Sequence, residues 1–427
     1  MKILVIGNGG REHALAWKLL ESKRIQQVVC IPGNGGTATL PRCQNLSLRV
    51  DDFEGMARFA LVHNISLAVV GPEMPLALGI TDYLKSKGLM VFGPTKEGAQ
   101  IEASKSWAKN LMESAGIPTP KFAKFTDATT AIAFVRERGA PIVVKADGLA
   151  AGKGVTVANT LAEAIAAVEF LFQNNFHTVI VEEWVTGEEV SVLALTDGVS
   201  VRILPPAQDH KRIGEGDTGP NTGGMGAFAP APLVTPQLMA RIEQEILQPT
   251  VDALRQRDID YRGILYAGLM ITPQGNPTVL EFNCRFGDPE TQAILPLLET
   301  PLEDLILACV HKKLSDLPPI SWKSGAGACV VAAAQGYPGS YKKGHPISGI
   351  TQAQEKGTIV FSAGTKLKEQ QQVTDGGRVL SVAATGDTLA GAIAQAYAGI
   401  NSIEFEGMYY RKDIGDRAIK TSSIPNQ

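Results

Sequence analysis

Residues 279–291 read VLEFNCRFGDPET, and the pattern of this stretch decides the fold. Glu281, Asn283 and Arg285 alternate along an extended segment, so their side chains share one face of a strand. Carboxylate and amide oxygens are ligands that magnesium prefers, and magnesium keeps water and phosphates in its remaining positions. The planar guanidinium suits a phosphate or a carboxylate. The stretch predicts a magnesium and phosphate site, against the alternative of a charged strand end with a solvated arginine.

A second segment supplies positive charge for a polyphosphate. Residues 142–157, IVVKADGLAAGKGVTV, predict a strand, a glycine-rich loop and another strand, with Lys145 on the first strand and Lys153 in the loop. Glycines such as Gly152 and Gly154 let backbone amides approach an anion closely. The spacing is not that of a Walker A loop, and a strand instead of a helix follows. The segment therefore predicts nucleotide binding without a P-loop.

These segments resemble the ATP-grasp superfamily, and the whole chain resembles its phosphoribosylamine–glycine ligase family. The blocks that carry the resemblance follow the family order over nearly the whole chain: GNGGREHALAWK, PGNGGT, GPEMPL, KADGLAAGKGV, QDHKR, DTGPNTGGMGA, LYAGLM, EFNCRFGDPETQ and RKDIGDRAI. The resemblance implies ATP-dependent joining of glycine to 5-phosphoribosylamine through a glycyl phosphate, the second step of de novo purine synthesis. It also implies ATP as a substrate and magnesium or manganese as the metal.

The alternation of β-runs and helical periods predicts an α/β protein. Residues 1–100 show the rhythm of a doubly wound parallel sheet, and by resemblance this domain binds phosphoribosylamine. The resemblance implies a central ATP-grasp fold over residues 101–325, with a small lid at about 121–187. A C-terminal α+β domain is expected over residues 326–427.

The resemblance also assigns roles to individual residues. The expected catalytic groups are Arg285, Lys145, Asp209 and Lys211. The expected ATP site comprises Lys105, Lys145, Gly152, Lys153, Gly154, Glu182, Glu183, Val185 and Glu189. The expected metal ligands are Glu281 and Asn283. Phosphoribosylamine and glycine are expected at Asn8, Gly10, Arg11, Asn34, Glu73, Gly223, Gly224, Met225 and Arg285.

Residues 209–227, DHKRIGEGDTGPNTGGMGA, are called the glycine loop below. Six glycines and few hydrophobic residues predict a long functional loop, with disorder as the alternative. By resemblance it lies near glycine and the γ-phosphate and closes over the acyl phosphate. We expect the backbone of Gly223, Gly224 and Gly226 to wall the amino-acid site, which would exclude a methyl group. His210 is expected to support the site and not to act as a general base.

Two details of the pattern bear on the metal and on helix packing. The strand YAGLMI carries no acid where many ATP-grasp proteins place a first metal ligand, which leaves the number of metals open. After Arg285, Asp288 and Pro289 predict the N-cap and first position of a helix that runs to Leu298.

Three other functions stay open. Another ATP-grasp ligase or carboxylase would share the ATP site, so only PGNGGT, GPE and TGPNTGGMGA discriminate. An NAD-binding oxidoreductase would explain GNGGREH, but Glu12 stands where the dinucleotide fingerprint has its third glycine, and the ribose-binding acid is missing. A non-catalytic nucleotide-binding protein is disfavoured, because Lys145, Glu281, Asn283 and Arg285 are all present.

The bulk composition is that of an ordinary globular protein. The 427 residues are 44% hydrophobic with a net charge of −3, which provides no basic surface for nucleic acid or an anionic membrane. The five cysteines include no CxxC pair, which fits a reducing compartment. No apolar run approaches a membrane span. We expect a cytoplasmic enzyme with small-molecule substrates, and a monomer with a dimer as the alternative.

Overall fold

The computed structural model describes residues 1–149 and 154–422. The first hundred residues alternate strands with helices: β1 (Lys2–Gly7), α1 (Gly10–Leu20), β2 (Gln27–Pro32), β3 (Cys43–Asn45), α2 (Phe53–Val62), β4 (Leu67–Val70), α3 (Glu73–Leu78), α4 (Ile80–Ser86) and β5 (Met90–Phe92). The strands form one parallel sheet in the order β3-β2-β1-β4-β5, which confirms the predicted parallel sheet. The strand order reverses between β1 and β4, so the glycine turns that follow these strands lie at the usual ligand-binding edge.

Two helices connect this sheet to the next unit, α5 (Gln100–Ala103) and α6 (Lys105–Ala115). The two helices are separate because the chain breaks at Ser104, whose φ of −135° and ψ of 109° are extended. The Ser104 hydroxyl accepts a hydrogen bond from Trp107 N and so caps α6. The cap fixes the start of α6, where Lys105 is the first residue.

The expected lid region forms an antiparallel sheet in the order β6-β9-β7-β8, made of the following elements: β6 (Phe122–Phe125), α7 (Ala128–Arg138), β7 (Ile142–Ala146), β8 (Val155–Ala158), α8 (Leu161–Gln173) and β9 (Val179–Glu183). The buried faces of α7 and α8 pack with β7 and β9 into a small separate hydrophobic core. The strands β7 and β8 flank the glycine-rich segment that the sequence assigned to ATP.

The central stretch contains the following elements: β10 (Glu188–Thr196), β11 (Val201–Ile203), β12 (Gln208–Asp209), β13 (Arg212–Gly214), β14 (Thr218–Asn221), β15 (Gly226–Ala229), α9 (Pro236–Ile242), α10 (Gln248–Arg255), β16 (Gly263–Ile271), β17 (Pro277–Asn283), α11 (Glu290–Ile294) and α12 (Leu302–Val310). Its main sheet is antiparallel in the order β11-β10-β16-β17. The glycine loop is not structureless, because β13 and β14 form a hairpin within it and β12 and β15 begin and end it.

The start of α11 corrects one expectation. Pro289 occupies the N-cap, and a 3₁₀ turn at Leu295–Leu297 ends the helical stretch, so Asp288 is not the cap. The Asp288 carboxylate instead accepts hydrogen bonds from Arg11 N and from Gln292 Nε2. It therefore joins α1 to α11 across the domain boundary.

The remaining residues form the last sheet and its helices: β18 (Ala326–Ala334), α13 (Ile350–Glu355), β19 (Ile359–Ser362), β20 (Thr365–Lys368), β21 (Gln371–Thr374), β22 (Arg378–Gly386), α14 (Leu389–Ile400), β23 (Met408–Tyr409) and α15 (Asp416–Ser422). The sheet runs β12-β15-β18-β22-β19, with β23 also paired to β18, and its pairings are antiparallel. This C-terminal sheet thus includes two strands of the glycine loop. The predicted boundaries at residues 100 and 325 stay predictions.

In residues 1–149 and 154–422, no helix is both long enough and apolar enough to cross a membrane.

Candidate active site

A cavity of about 570 Å³ lies among the lid sheet, α6, the central sheet and the glycine loop. It brings together most of the predicted site residues: Glu73, Lys105, Lys145, Glu182, Glu183, Val185, Glu189, Asp209, Lys211, Gly223, Glu281, Asn283 and Arg285. The other described candidates do not line it: Asn8, Gly10, Arg11, Asn34, Gly154, Gly224 and Met225. The candidates Gly152 and Lys153 lie outside the described residues.

One end of the cavity is apolar. Met112, Val143, Val157 and Leu280 contribute to its walls, and the segment after β9 contributes the polar backbone of residues 183–185. A flat aromatic base with donors and acceptors on its edge suits such a slot. This end therefore fits the expected adenine site.

Glu182 lies at the base of this end as the shared partner of two lysines. Its Oε2 is 2.8 Å from Lys145 Nζ and 3.2 Å from Lys109 Nζ, and all three side chains are buried. Its Oε1 is buried without a hydrogen-bond partner. A buried unpaired carboxylate oxygen is costly, so a ligand N–H would satisfy a group that the protein leaves open. The adenine amino group carries such N–H donors.

Three lysines provide the positive charge of the other end. Lys145 Nζ donates to Leu280 O at 3.0 Å, and Lys105 Nζ donates to Gly148 O at 2.9 Å, beside the glycine-rich loop. Burial lowers the pKa of Lys105, and Lys145 lowers it further, whereas Glu281 opposes both effects. Lys211 lies 3.0 Å from Glu189 and 3.6 Å from Glu281. An incoming triphosphate would thus meet three ammonium groups, of which Lys145 and Lys211 already pair with carboxylates.

Glu281 and Asn283 occupy one face of β17, as the alternation predicted. Burial would raise the pKa of Glu281, but Lys211, Lys145 and Lys105 together lower it. The neighbouring strand β16 places Gly268 opposite Glu281, so it adds no acidic ligand there. Within the described residues no cluster of three His, Cys, Asp or Glu side chains could hold a metal by itself. The oxygen donors fit a magnesium ion that takes its remaining ligands from phosphates and water.

Arg285 is held by a network that reaches the N-terminal domain. Its guanidinium lies 2.9 Å from Glu102 and 3.2 Å from Glu73, and it donates to Asn283 Oδ1 at 3.0 Å. Burial lowers the pKa of Arg285, but Glu102 and Glu73 outweigh it and raise the pKa overall. A fixed guanidinium beside the metal ligands is suited to bind a phosphoryl group or a carboxylate.

Asp209 and Lys211 extend from the start of the glycine loop into the cavity. Burial raises the pKa of Asp209 well above its ordinary value, and Glu290 raises it further. The charge of Glu189 is the main cause of the raised pKa of Lys211. The Oδ1 atom of Asp209 is buried without a partner. The loop therefore contributes an ammonium group and a carboxyl group with a raised pKa to this part of the cavity.

The surroundings of His210 argue against a role as general base. Burial lowers its pKa to about 4, with Arg411 adding to the effect. Its Nε2 accepts a hydrogen bond from Gly415 N at 3.2 Å. A neutral imidazole that accepts from a backbone amide is a structural group, which agrees with the supporting role expected from the sequence.

The glycines of the glycine loop do not all form the wall of the amino-acid site that the sequence predicted. A Cβ atom on Gly224 would lie 2.4 Å from Pro289 Cδ, and one on Gly226 would lie 2.7 Å from Cys329 O. These two glycines therefore permit close packing of the loop on α11 and β18. Met225 is also buried, and its backbone bonds to His210 and Val331. Only Gly223 of this group lines the cavity.

The N-terminal glycine turn is filled by Glu12. Its carboxylate accepts from Gly9 N at 2.6 Å and from Arg11 Nε at 2.6 Å. A Cβ atom on Gly71 would lie 2.0 Å from Glu12 Oε1, so the carboxylate occupies the space between the turns after β1 and β4. A dinucleotide pyrophosphate would meet a negative charge at this position. The geometry argues against the NAD-binding alternative.

The remaining N-terminal candidates hold the domains together. Asn34 is buried; its Nδ2 donates to the carbonyls of Asn8 and Ser362, and its Oδ1 accepts two loop amides. Gly10 packs against Gln292, where a Cβ atom would lie 2.5 Å from Nε2. Arg11 donates to Phe286 O at 3.0 Å. Of the N-terminal candidates, only Glu73 reaches the cavity.

The sequence reasoning missed several residues of the site. Lys109 lies four positions after Lys105 on α6, so helical spacing could have identified it. Glu102, Glu290 and Tyr266 also line the cavity, and Glu290 Oε1 accepts from Tyr266 Oη at 2.7 Å. No local pattern identified these three, because each is defined by a partner distant in the sequence.

Three family models match the chain in sequence order. All three describe phosphoribosylglycinamide synthetase: the N domain matches residues 1–102, the ATP-grasp (A) domain residues 103–291, and the C domain residues 327–417. A phosphoribosylamine–glycine ligase of Nostoc sp. (strain PCC 7120) is 66% identical over 422 residues. The match covers 98% of this chain and 99% of that protein.

Two solved structures share the fold. The phosphoribosylamine–glycine ligase of Thermotoga maritima is similar at a TM-score of 0.84 and 32% identity, with 97% of this chain and 100% of that chain covered. The biotin carboxylase domain of Hydrogenobacter thermophilus 2-oxoglutarate carboxylase, solved with MgADP, ADP and bicarbonate, has a TM-score of 0.71 at 17% identity. That match covers 96% of this chain and 91% of the other. At this identity the second likeness concerns the fold alone.

Proposed function

This chain belongs to the phosphoribosylglycinamide synthetase family, and we propose that it uses ATP to join glycine to 5-phosphoribosylamine. The products are glycinamide ribonucleotide, ADP and phosphate. The reaction is the second step of purine synthesis. Family membership and the set of charged groups in the cavity both support the proposal.

In the first step the glycine carboxylate attacks the γ-phosphoryl group of ATP and forms glycyl phosphate and ADP. Both reactants are anions, so the step needs charge neutralisation and alignment more than covalent help. Lys105 and Lys145 bind the phosphates, and Arg285 binds the transferring phosphoryl group or the carboxylate. Glu281 and Asn283 would hold magnesium or manganese, and the bound metal would supply further positive charge.

In the second step the amine of phosphoribosylamine attacks the acyl carbon, and the carbon–oxygen bond to phosphate breaks. The acyl phosphate must be kept from water until this attack occurs. Asp209 and Lys211 of the glycine loop border the cavity at this end, and Lys211 connects the loop to Glu281. The attacking nitrogen loses a proton as the amide bond forms, and the departing phosphate accepts it. The first step needs no histidine base, because the glycine carboxylate is already an anion, and His210 accepts a backbone hydrogen bond from Gly415 N.

The observation that carries the proposal is the position of Arg285. It joins the metal-binding strand β17 to Glu73, the residue that opens α3 of the N-terminal domain. A single guanidinium therefore lies between the ATP cavity and the domain that the resemblance assigns to phosphoribosylamine. An ATP-hydrolysing protein with no second substrate would have no need of this connection.

The test is phosphate release by the purified protein with ATP and magnesium. Glycine and phosphoribosylamine, formed in place from ribose 5-phosphate and ammonia, are withheld in turn. Release should require both, and bicarbonate should not replace glycine. Equal release with bicarbonate, or without any amine, would favour another ATP-grasp activity and refute the proposal.

Three further features belong to the same proposal. We place the reaction in the cytoplasm, with no nucleic-acid or membrane partner. We expect a monomer, and sedimentation at several protein concentrations distinguishes it from a dimer. Replacing magnesium by manganese in the phosphate assay identifies the preferred metal.

A further inference from the structure

The C-terminal sheet and the segment after it hold the glycine loop along its whole length. At the loop's start, His210 Nε2 accepts from Gly415 N. At its end, Gly223 N donates to Tyr337 Oη at 2.9 Å, and Arg378 Nη1 donates to Gly223 O at 2.6 Å. Both ends of the glycine loop are therefore hydrogen-bonded to residues that lie more than a hundred positions away in the chain.

The tip of the loop is attached by Arg411. Its Nη1 donates to Asp217 Oδ1 at 2.8 Å and to Arg212 O at 3.0 Å. Its Nε and Nη2 donate to the two carboxylate oxygens of Asp413 at 2.8 and 2.7 Å. Asp413 Oδ2 in turn accepts from Gly216 N at 2.8 Å. The guanidinium thus bridges β13 and the turn of the β13–β14 hairpin to the segment after β23.

Burial makes this bridge specific. Arg411 is 1% exposed and is among the largest fully buried side chains of the described residues. A buried arginine keeps its place only if its N–H groups have partners, and here the fork is shared among two carboxylates and a carbonyl. Arg411, Asp413 and Gly415 all belong to RKDIGDRAI, a block to which the proposed chemistry gives no role.

We propose that Arg411 is a positioning residue for the ligase reaction, because it holds the glycine loop so that Asp209 and Lys211 stay in the cavity. The inference rests on the proposed function for the reaction that it serves. Lys211 directly precedes Arg212, whose carbonyl Arg411 binds. A displacement of about 1 Å at a reacting group can reduce turnover by roughly 100-fold, so an anchor at this point matters for rate.

The direct test is trypsin cleavage after Lys211 and Arg212 in the full-length protein, followed by mass spectrometry of the fragments that begin at Arg212 and at Ile213. Arg411→Ala should increase the cleavage rate at least ten-fold. Asp217→Asn, on the loop side, should increase it in the same direction. Arg411→Lys keeps the positive charge but loses the planar guanidinium with its several N–H donors. It should therefore give an intermediate cleavage rate.

Turnover provides the second readout. Arg411→Ala should lower kcat/KM for glycine at least ten-fold, whereas the affinity for ATP, measured by calorimetry, should stay within two-fold of wild type. The matched control is Tyr410→Phe, which removes the 2.6 Å hydrogen bond to Asn401 and touches no residue of the glycine loop. This control should leave both cleavage and turnover within two-fold of wild type.

Each outcome decides the proposal. Unchanged cleavage in Arg411→Ala and Asp217→Asn would show that the bridge does not hold the loop. Faster cleavage with unchanged kcat/KM would show that the held loop is not needed for the reaction. If Arg411→Ala does not fold, Arg411→Lys carries the test, because Asp217 also pairs with Arg417 at 2.7 Å. Wild-type protein without turnover would refute the proposed function itself, while cleavage would still decide whether Arg411 anchors the loop.

Discussion

Gly224→Ala tests how the glycine loop packs on the rest of the site. Gly224 has a φ of +112°, and a Cβ atom there would lie 2.4 Å from Pro289 Cδ and 2.8 Å from Asp209 Oδ1. The ring of Pro289 belongs to the start of α11 and cannot rotate away. The substitution therefore combines backbone strain with a steric clash, and both effects act beside a residue that lines the cavity.

The magnitude follows from these two effects. An unfavourable φ costs about 1–3 kcal/mol, and overpacking a tight contact costs about 1–3 kcal/mol more. We expect a total of about 2–6 kcal/mol, expressed as a displaced loop, lower stability, or both. If about 3 kcal/mol of it appears as lost transition-state stabilisation, kcat/KM falls by roughly 150-fold.

Gly275→Ala is the matched control. Gly275 has a φ of +75° in the turn between β16 and β17, but a Cβ atom there would meet nothing within 4 Å. It should lose about 1–2 kcal/mol of stability through strain alone and keep its turnover. The assay is kcat/KM for glycine with the urea midpoint of each variant. If Gly224→Ala retains wild-type turnover and stability, the packing of the loop on Pro289 is wrong.

Three further predictions concern charge. Glu281→Gln should lower kcat at saturating magnesium, because it removes several kcal/mol of transition-state stabilisation. A near-normal kcat would contradict the metal assignment. Lys109→Met leaves Glu182 with one lysine partner instead of two. Calorimetry should show that ATP binds more weakly by about 1.5–3 kcal/mol. Unchanged affinity would contradict the assignment of Glu182 to the adenine site. Burial lowers the pKa of His13 and His210 from 6.5 to about 4, so the unfolded chain binds more protons between these pH values. The free energy of unfolding should therefore fall as pH decreases from 6.5 to 4, by roughly 3 kcal/mol per histidine. His210→Gln retains a hydrogen-bond acceptor and should reduce the dependence of this free energy on pH, measured by urea titration. An unchanged pH dependence would show that other groups cause it.

Local patterns were enough for much of the fold and for the strand that carries Glu281 and Asn283. The alternation predicted one face for Glu281, Asn283 and Arg285, because side chains on a strand repeat every two residues; β17 carries the first two, and Arg285 lies after its end. The parallel N-terminal sheet followed from buried apolar runs separated by helical periods, as in β1, whose residues after Ile3 are buried. Such signals depend only on residues within one element.

The positions of the helix ends and of the glycine loop depended on more distant contacts. Asp288 looked like an N-cap, but its carboxylate contacts Arg11 and Arg378 from two other parts of the fold, and Gln292 of α11. The glycine loop looked unstructured, although its ends pair with the C-terminal sheet. Composition cannot reveal a strand whose partner is another segment a hundred residues away.

The sequence by itself determined which chemical groups are available for the proposed binding of ATP and a metal, because those groups lie in short stretches with their own periodicity. Only the tertiary structure decided which groups act together. Arg285 meets Glu73 and Glu102, and Arg411 meets Asp217, because the packing of separate sheets brings them within hydrogen-bonding distance. That packing depends on the complementarity of whole buried surfaces, and no single segment encodes it.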